Sequence, residues 1–316
     1  MIGRHLLDLK TLTGDDVADL LAVAVYLKRR RAQGVRETAL AGKTLAMVFE
    51  KPSLRTRVSF EVGTTELGGA AMYISKEEIG LGKREAVEDI ARVLSRYVQG
   101  IMIRTFAHDN VRKLAEWGTV PVINGLSDES HPCQALADLL TMYEHFGRLD
   151  DLDVVFIGDG NNVARSLARG CVLTGARFTL ACPEAYAFDA RDIGEFGDDW
   201  GRRVRQIHDP AAAVAGADVL YSDVWTSMGQ EDERAERLRA FAGYQINADL
   251  LARADAGVKI MHCLPAKRGE EITDEAMESP QAIVFDQAEN RMHAQKAILR
   301  LLMADDRDQV LAAARG

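Results

Sequence analysis

Lys43 to Leu67 reads KTLAMVFEKPSLRTRVSFEVGTTEL, and the reading of this stretch decides the fold. Lys43 to Phe49, apolar from Leu45 onward, reads as a buried strand. Val58, Val62 and the Phe60/Leu67 pair then recur with helical spacing. A buried strand that passes directly into an amphipathic helix is the repeating half of a parallel α/β sheet. The junction is Ser53-Leu54-Arg55-Thr56-Arg57. It sets two hydroxyls and two guanidinium groups beside the first free N–H groups of a helix, a combination that suits a phosphate. The same five residues also read as a Ser53 N-cap with Thr56 at the third helical position and two solvated arginines, because capping needs only one hydroxyl.

The strand-then-helix pattern continues in both directions. Candidate strands are 44–49, 70–74, 100–104, 120–123, 153–157, 177–182, 203–207, 218–222, 258–262 and 282–285. Helical patterns cover 14–31, 56–67, 86–99, 110–117, 134–146, 163–174, 232–242, 248–254 and 287–303. This alternation predicts an α/β protein with two doubly wound parallel-sheet domains. Four strands precede the helix at 134–146 and six follow the break at Gly147-Arg148-Leu149-Asp150-Asp151. The expected domains are therefore 1–146 and 147–299, with a last helix at about 300–316 packing back on the first. Ligand sites are expected at the strand ends, along a cleft between the two domains.

Composition narrows the functional classes. A net charge of −9 argues against a general nucleic-acid binder, which would carry a basic stripe, but leaves room for a local cationic pocket. No apolar run approaches a membrane span, and the first residues pass almost at once into a helix capped at Thr13. Cys133, Cys171, Cys182 and Cys263 form no C-x-x-C pair, so a reduced, cytoplasmic protein is expected.

Several further segments place polar groups at strand ends. Arg104 follows the strand Gly100-Ile101-Met102-Ile103; by itself it is also a strand-end arginine reaching solvent. His131 and Gln134 open the helix at 134–146, where imidazole and carboxamide groups can donate to a carbonyl oxygen or a phosphate. Gly158-Asp159-Gly160-Asn161-Asn162-Val163 resembles half of a dinucleotide fingerprint, but Val163 occupies the third glycine position. Asn162 is instead a candidate for holding an amino-acid carboxylate or carbonyl. Asp223 leaves the strand ADVLYS and is placed to meet a substrate ammonium, or simply to cap a turn; Ser227-Met228-Gly229 reads as a mobile loop. Cys263-Leu264 brings a thiol and a turn to another strand end, and Arg291 stands before the last helix as an anion contact or a surface ion pair. His131, Cys133, His262 and Cys263 match no ordinary zinc spacing, so no metal site is expected.

In their order along the chain, FEKPSLRTRVSFE, MIRTF, HPCQALADLLT, GDGNN, DVWTSMGQE, HCLPA and FDQAENR resemble the motifs of the aspartate/ornithine carbamoyltransferases over nearly the whole length, with the Ser-Met-Gly loop of the ornithine branch. The resemblance implies transfer of the carbamoyl group of carbamoyl phosphate to the δ-amine of L-ornithine, giving L-citrulline and phosphate, in arginine metabolism. It implies no cofactor, no nucleic-acid or membrane partner, and a homotrimer or a multiple of trimers. By this resemblance Ser53, Leu54, Arg55, Thr56, Arg104, His131, Gln134, Cys263, Leu264 and Arg291 hold carbamoyl phosphate. Asn162, Asp223, Ser227 and Met228 hold ornithine, and Arg55, Arg104, His131 and Cys263 lie at the reaction. Leu54 replaces the usual Thr, Lys267 a common His, and Gly80 a Gln found in some members. The competing readings are a carbamoyltransferase for another amine (putrescine or an N-acylated ornithine), an NAD-dependent dehydrogenase built on GDGNN, and a non-catalytic trimeric binding protein.

Overall fold

A computed structural model describes residues 3–316. The chain divides into two compact units, one running up to Leu140 and completed by Glu289–Gly316, the other Thr141–Ala288. Both boundaries fall inside helices, Pro132–Phe146 and Val284–Met303.

The first unit is built on β1 (Thr44–Phe49), β2 (Ala70–Ser75), β3 (Gly100–Arg104) and β4 (Val122–Leu126), all parallel in the order β2-β1-β3-β4. Leu45, Ala46, Met47 and Val48, with Ile101, Met102 and Ile103, have no solvent-accessible surface, which explains why these strands are apolar at successive positions. The returning segment is tied to this unit by polar contacts: Lys296 Nζ donates to Glu66 at 2.7 Å, Lys28 Nζ to Asn290 at 2.8 Å, and Lys43 Nζ to the Met303 carbonyl at 2.6 Å. The order of this sheet reverses between β1 and β3, so its topological switch point lies at the carboxyl ends of those two strands.

The second unit is built on β5 (Asp153–Ile157), β6 (Arg177–Ala181), β7 (Val204–Ile207), β8 (Val219–Ser222) and β9 (Lys259–His262). They too are parallel, in the order β7-β6-β5-β8-β9, which sets the switch point between β5 and β8. Its core includes Phe156 stacked on Tyr221 with ring centroids 5.2 Å apart, and Trp225 stacked on Phe241 at 5.4 Å.

Three details depart from the expectations drawn from sequence. Residues 282–285 are not a tenth strand, and five strands rather than six follow the break. Ile260 N–H donates to the Gln281 carbonyl and Ile283 N–H to the Ile260 carbonyl, both at 2.9 Å, after which the chain enters the Val284–Met303 helix. The Leu54–Glu66 helix does not bury Val58 and Val62; it buries Thr56, Ser59, Phe60, Gly63 and Thr64 and leaves Leu54, Val58 and Val62 exposed along one side. The pattern at 232–242 resolves into a 3₁₀ turn at Glu231–Glu233 followed by the helix Arg234–Ala240. The short helices Lys76–Ile79, Ala190–Phe196, Pro210–Ala213 and Asp274–Met277 were not legible from periodicity, and the last helix, expected at about 300–316, is Arg307–Arg315.

One irregularity bears on the site. Ile103 pairs with Asn124 and Arg104 with Leu126, so Gly125 is an extra residue in β4, a bulge beside Arg104. A Cβ on Gly125 would stand 2.6 Å from Met102 Sδ and 3.2 Å from the Ile103 carbonyl oxygen. Gly125→Ala is therefore expected to destabilise the protein by about 1–3 kcal/mol. Urea unfolding checks this, and an unchanged midpoint would contradict the packing argument.

Candidate active site

In the first unit the polar side chains gather at the switch point. The Leu54–Glu66 helix starts there because Ser53 caps it, with Ser53 Oγ accepting from the Thr56 N–H at 3.3 Å. No acidic residue occupies the first turn, so the partial positive charge of the helix end is not offset locally. The Thr56 side chain is fully buried and acts as a hub. Its Oγ1 accepts from Arg291 Nη2 at 2.9 Å, from Arg104 Nη1 at 3.4 Å and from Ser53 Oγ at 3.1 Å. Arg104 ends β3, and its carbonyl is held by the Glu50 N–H at 2.8 Å and the Lys51 N–H at 3.4 Å. Arg55 keeps a buried Nε that makes no hydrogen bond among the described residues. Arg57 is turned elsewhere, over the Tyr73 ring at 4.3 Å and toward Glu61 at 3.4 Å.

His131 immediately precedes the Pro132–Phe146 helix and is buried. Burial, reinforced by the nearby positive charges of Arg291 and Arg104, holds its imidazole well below the ordinary histidine range. Its neutral ring then carries one N–H donor and one acceptor nitrogen. Burial pushes the neighbouring Cys133 thiol up to about 12, partly against the pull of Arg291, so it is no nucleophile; it donates to the Asn124 carbonyl at 3.3 Å. Gln134, one turn from His131, donates through Nε2 to Asp138 at 2.9 Å. Leu54 turns its side chain to solvent, 76% exposed, so its contribution to a ligand is confined to its backbone N–H.

The second unit repeats the logic at its own switch point. The Asn162–Thr174 helix is capped by Asn161, whose Oδ1 accepts from Val163 and Ala164 N–H at 2.9 and 3.1 Å. The free Nδ2 of Asn161 donates to Asp223 Oδ2 at 3.0 Å, from the end of β5 to the end of β8. The Cys263 thiol donates to Asp223 Oδ1 at 3.0 Å, and the Val224 N–H to the same oxygen at 2.8 Å. Asp223 and Cys263, separated by 40 residues, are thus brought together. Asn162, the residue singled out from sequence, is the first residue of the helix and is half-buried; its carbonyl accepts from Ser166 Oγ at 2.8 Å. The Ser227 N–H donates to Gln230 Oε1 at 3.1 Å, and Met228 beside it is 50% exposed.

Several further groups hold the surrounding loops. Leu264 has φ 58, an uncommon conformation for a leucine, and its N–H donates to His262 Nδ1 at 2.9 Å. That bond places the ring proton on Nε2, which faces the buried Glu271 at 3.1 Å. Asp159 is drawn up by burial and held against it by Arg237, at 2.6 Å, which also stacks over Tyr186 at 4.8 Å. Lys51, 6% exposed, bonds Asp128 at 2.5 Å and sits 3.9 Å over the Phe106 ring. Gly80 takes φ 54, and a Cβ there would come within 2.7 Å of Arg84 Cβ, so a Gln would need a different backbone. Among the described residues no three His, Cys, Asp or Glu side chains are grouped as metal ligands.

Comparison with known proteins follows the same division. Residues 4–144 match the carbamoyl-P binding domain of aspartate/ornithine carbamoyltransferase, and residues 150–302 match its Asp/Orn binding domain. The chain belongs to the aspartate/ornithine carbamoyltransferase family. It is 49% identical over 305 residues to an ornithine carbamoyltransferase of Symbiobacterium thermophilum, covering 96% of this chain and 98% of that one. It is 50% identical over 303 residues to that of Archaeoglobus fulgidus, with 96% and 98% covered. Among solved structures, the ornithine carbamoyltransferase from Pyrococcus furiosus superimposes with a TM-score of 0.91 at 49% identity, covering 95% of this chain and 97% of that one. In this carbamoyltransferase fold the cationic cluster of the first unit is suited to a phosphate and a carbonyl oxygen, and the Asp223 cluster of the second to an ammonium.

The state of His131 is directly measurable. A histidine whose native pKa is depressed stabilises the fold above its unfolded value of about 6.5 and loses that contribution as the pH falls through it toward the native value. NMR of the imidazole is expected to show neutral-ring shifts from pH 7.5 down to at least about 6. Titration near the ordinary value would contradict the buried, cation-flanked setting.

Proposed function

We infer that this chain transfers the carbamoyl group of carbamoyl phosphate to the δ-amine of L-ornithine, releasing L-citrulline and phosphate. The observation that carries the reading is the convergence of Arg104 and Arg291 on the buried Thr56 hydroxyl at a helix N-terminus, within a chain about half identical to ornithine carbamoyltransferases over nearly its full length.

The steps proposed are these. The phosphate of carbamoyl phosphate takes the Leu54–Glu66 helix end, with Ser53, Arg55 and Thr56 and the N–H of Leu54. Arg104, Thr56 and His131 polarise the carbonyl oxygen and stabilise the oxyanion of the tetrahedral intermediate. Gln134 and Arg291 complete the contacts, together with backbone groups of Cys263 and Leu264. Asp223 takes the α-ammonium of ornithine, and Asn162 with the Ser227-Met228 loop takes its carboxylate. Cys263 lies near the reacting amine. An alkyl ammonium titrates near about 10.4, so the δ-amine must shed a proton first. A cationic, desolvated setting favours the neutral form. The amine attacks the carbonyl carbon, the C–O bond to phosphate breaks, and the departing phosphate accepts the proton. Every charge in this sequence is assigned to a side chain, the backbone or phosphate, so the proposal includes no cofactor.

The assembly proposed is a homotrimer or a multiple of it. Leu54, Val58 and Val62, spaced at four residues on one side of a helix, are 76%, 47% and 37% exposed, an apolar stripe suited to a second copy of the chain. The proposed location is the cytoplasm; among the described residues no helix is long and apolar enough to cross a membrane.

Turnover with carbamoyl phosphate is expected to be strong with L-ornithine and weak with putrescine, N-acetylornithine and aspartate. Activity confined to one of the other amines would overturn the assignment of the acceptor. Arg55→Ala is expected to lower kcat/KM by about 100- to 1000-fold without unfolding the protein. Near-wild-type turnover in that variant would remove the phosphate site from the account. Sedimentation is expected to give the mass of three chains or a multiple, lowered by Val58→Lys; a single-chain mass for the unaltered protein would contradict the assembly.

A further inference from the structure

Gln134 is 1% exposed, and its amide is asymmetrically employed. Nε2 donates to Asp138 Oδ1 at 2.9 Å, while Oε1 is buried and accepts no hydrogen bond among the described residues. Asp138 lies one turn further along the same helix and has no solvent-accessible surface. A carboxylate only accepts, whereas a carboxamide can present either a donor pair or an acceptor. With its NH₂ end committed to Asp138, Gln134 has one orientation, in which its carbonyl faces away from the carboxylate. His131 and Gln134 are three residues apart at the helix entrance, His131 just before it and Gln134 in its first turn. The Gln134 carbonyl is therefore an acceptor at the helix entrance that His131 opens, and the imidazole there feels the positive charges of Arg291 and Arg104.

We propose that Asp138 is a positioning residue which, by fixing the orientation of the Gln134 amide, makes the site select an acyl phosphate that carries an NH₂ group over one that carries a methyl group. The proposal rests on the carbamoyl-phosphate reading above and deepens it. Carbamoyl and acetyl phosphate share the phosphate, the ester oxygen and the carbonyl. They differ only in a donor that the Gln134 carbonyl can accept. With Asp138 replaced, the amide can rotate and turn its own NH₂ toward the ligand, donor against donor, which leaves both unsatisfied.

The test is the ratio of the dissociation constants of acetyl and carbamoyl phosphate, measured by calorimetry on the full chain for the unaltered protein, Asp138→Asn and Asp138→Leu. The unaltered protein is expected to prefer carbamoyl phosphate. Asp138→Leu, which removes the acceptor, is expected to lose at least about tenfold of that preference, and Asp138→Asn, whose amide can either accept or donate, to lose less, with both binding acetyl phosphate within about twofold of the unaltered protein. A structural defect would weaken both ligands alike, and an unchanged ratio or a parallel loss overturns the proposal. If neither variant folds, exchange of the Gln134 side-chain NH₂ protons in the unaltered protein decides. Protection that persists without ligand supports the fixed amide, and fast exchange overturns it. Failure of the unaltered protein to bind carbamoyl phosphate would instead refute the underlying reading, so the two failures are distinguishable.

Discussion

The hydroxyl of Thr56 accepts from two guanidinium groups supplied by distant parts of the chain. Arg104 comes from 48 residues away and Arg291 from 235. Two guanidinium groups that share one acceptor repel each other, a cost that a negative ligand would lower. Much of the first unit serves to bring these groups into register: β1 and β3 run parallel to the switch point, the bulge at Gly125 lies beside Arg104, and the segment Glu289–Gly316 returns to deliver Arg291. A phosphate would suit such a cluster, since hydrogen bonds between ionised partners are among the stronger ones available to a protein.

The second unit solves the opposite problem with the same topology. Its switch point presents a carboxylate, Asp223, fixed by the Asn161 amide, the Cys263 thiol and the Val224 N–H. A buried acid held in this way is pre-organised for a cation. The Leu264 backbone is likewise anchored, through His262 to Glu271, so that the loop after β9 keeps one shape. The contrast is electrostatic: the first unit gathers guanidinium groups at its switch point, the second a carboxylate.

The central strands of both sheets could be read from sequence because burial on both faces makes them continuous apolar runs, as in Leu45–Val48 and Val154–Ile157, whereas the edge strands Ala70–Ser75 and Val204–Ile207 are only partly buried. The same signal misled at 282–285, where Ile283 and Val284 are buried on the way into a helix; a four-residue apolar run does not distinguish the two. Val58 and Val62 have helical spacing, but spacing does not reveal which side of a helix faces the core. At the loop after β5 the motif offered two adjacent asparagines, and only the backbone geometry makes Asn161 the cap and the partner of Asp223. Ser53 and Thr56 were legible as a cap. Arg291 drew its role from family resemblance alone, because its contact with Thr56 spans nearly the whole chain. Asp138, Glu271 and Lys51 gave no local signal, since each owes its role to a three-dimensional partner.

The most direct test of this account is the affinity for carbamoyl phosphate of Thr56→Val, a change that keeps the shape of the side chain and removes the hydroxyl. Hydrogen bonds to charged groups contribute about 1.5–3 kcal/mol, so titration calorimetry should show binding at least about tenfold weaker in a protein that remains folded. Unchanged affinity in the folded variant would contradict the claim that Thr56 organises the phosphate site.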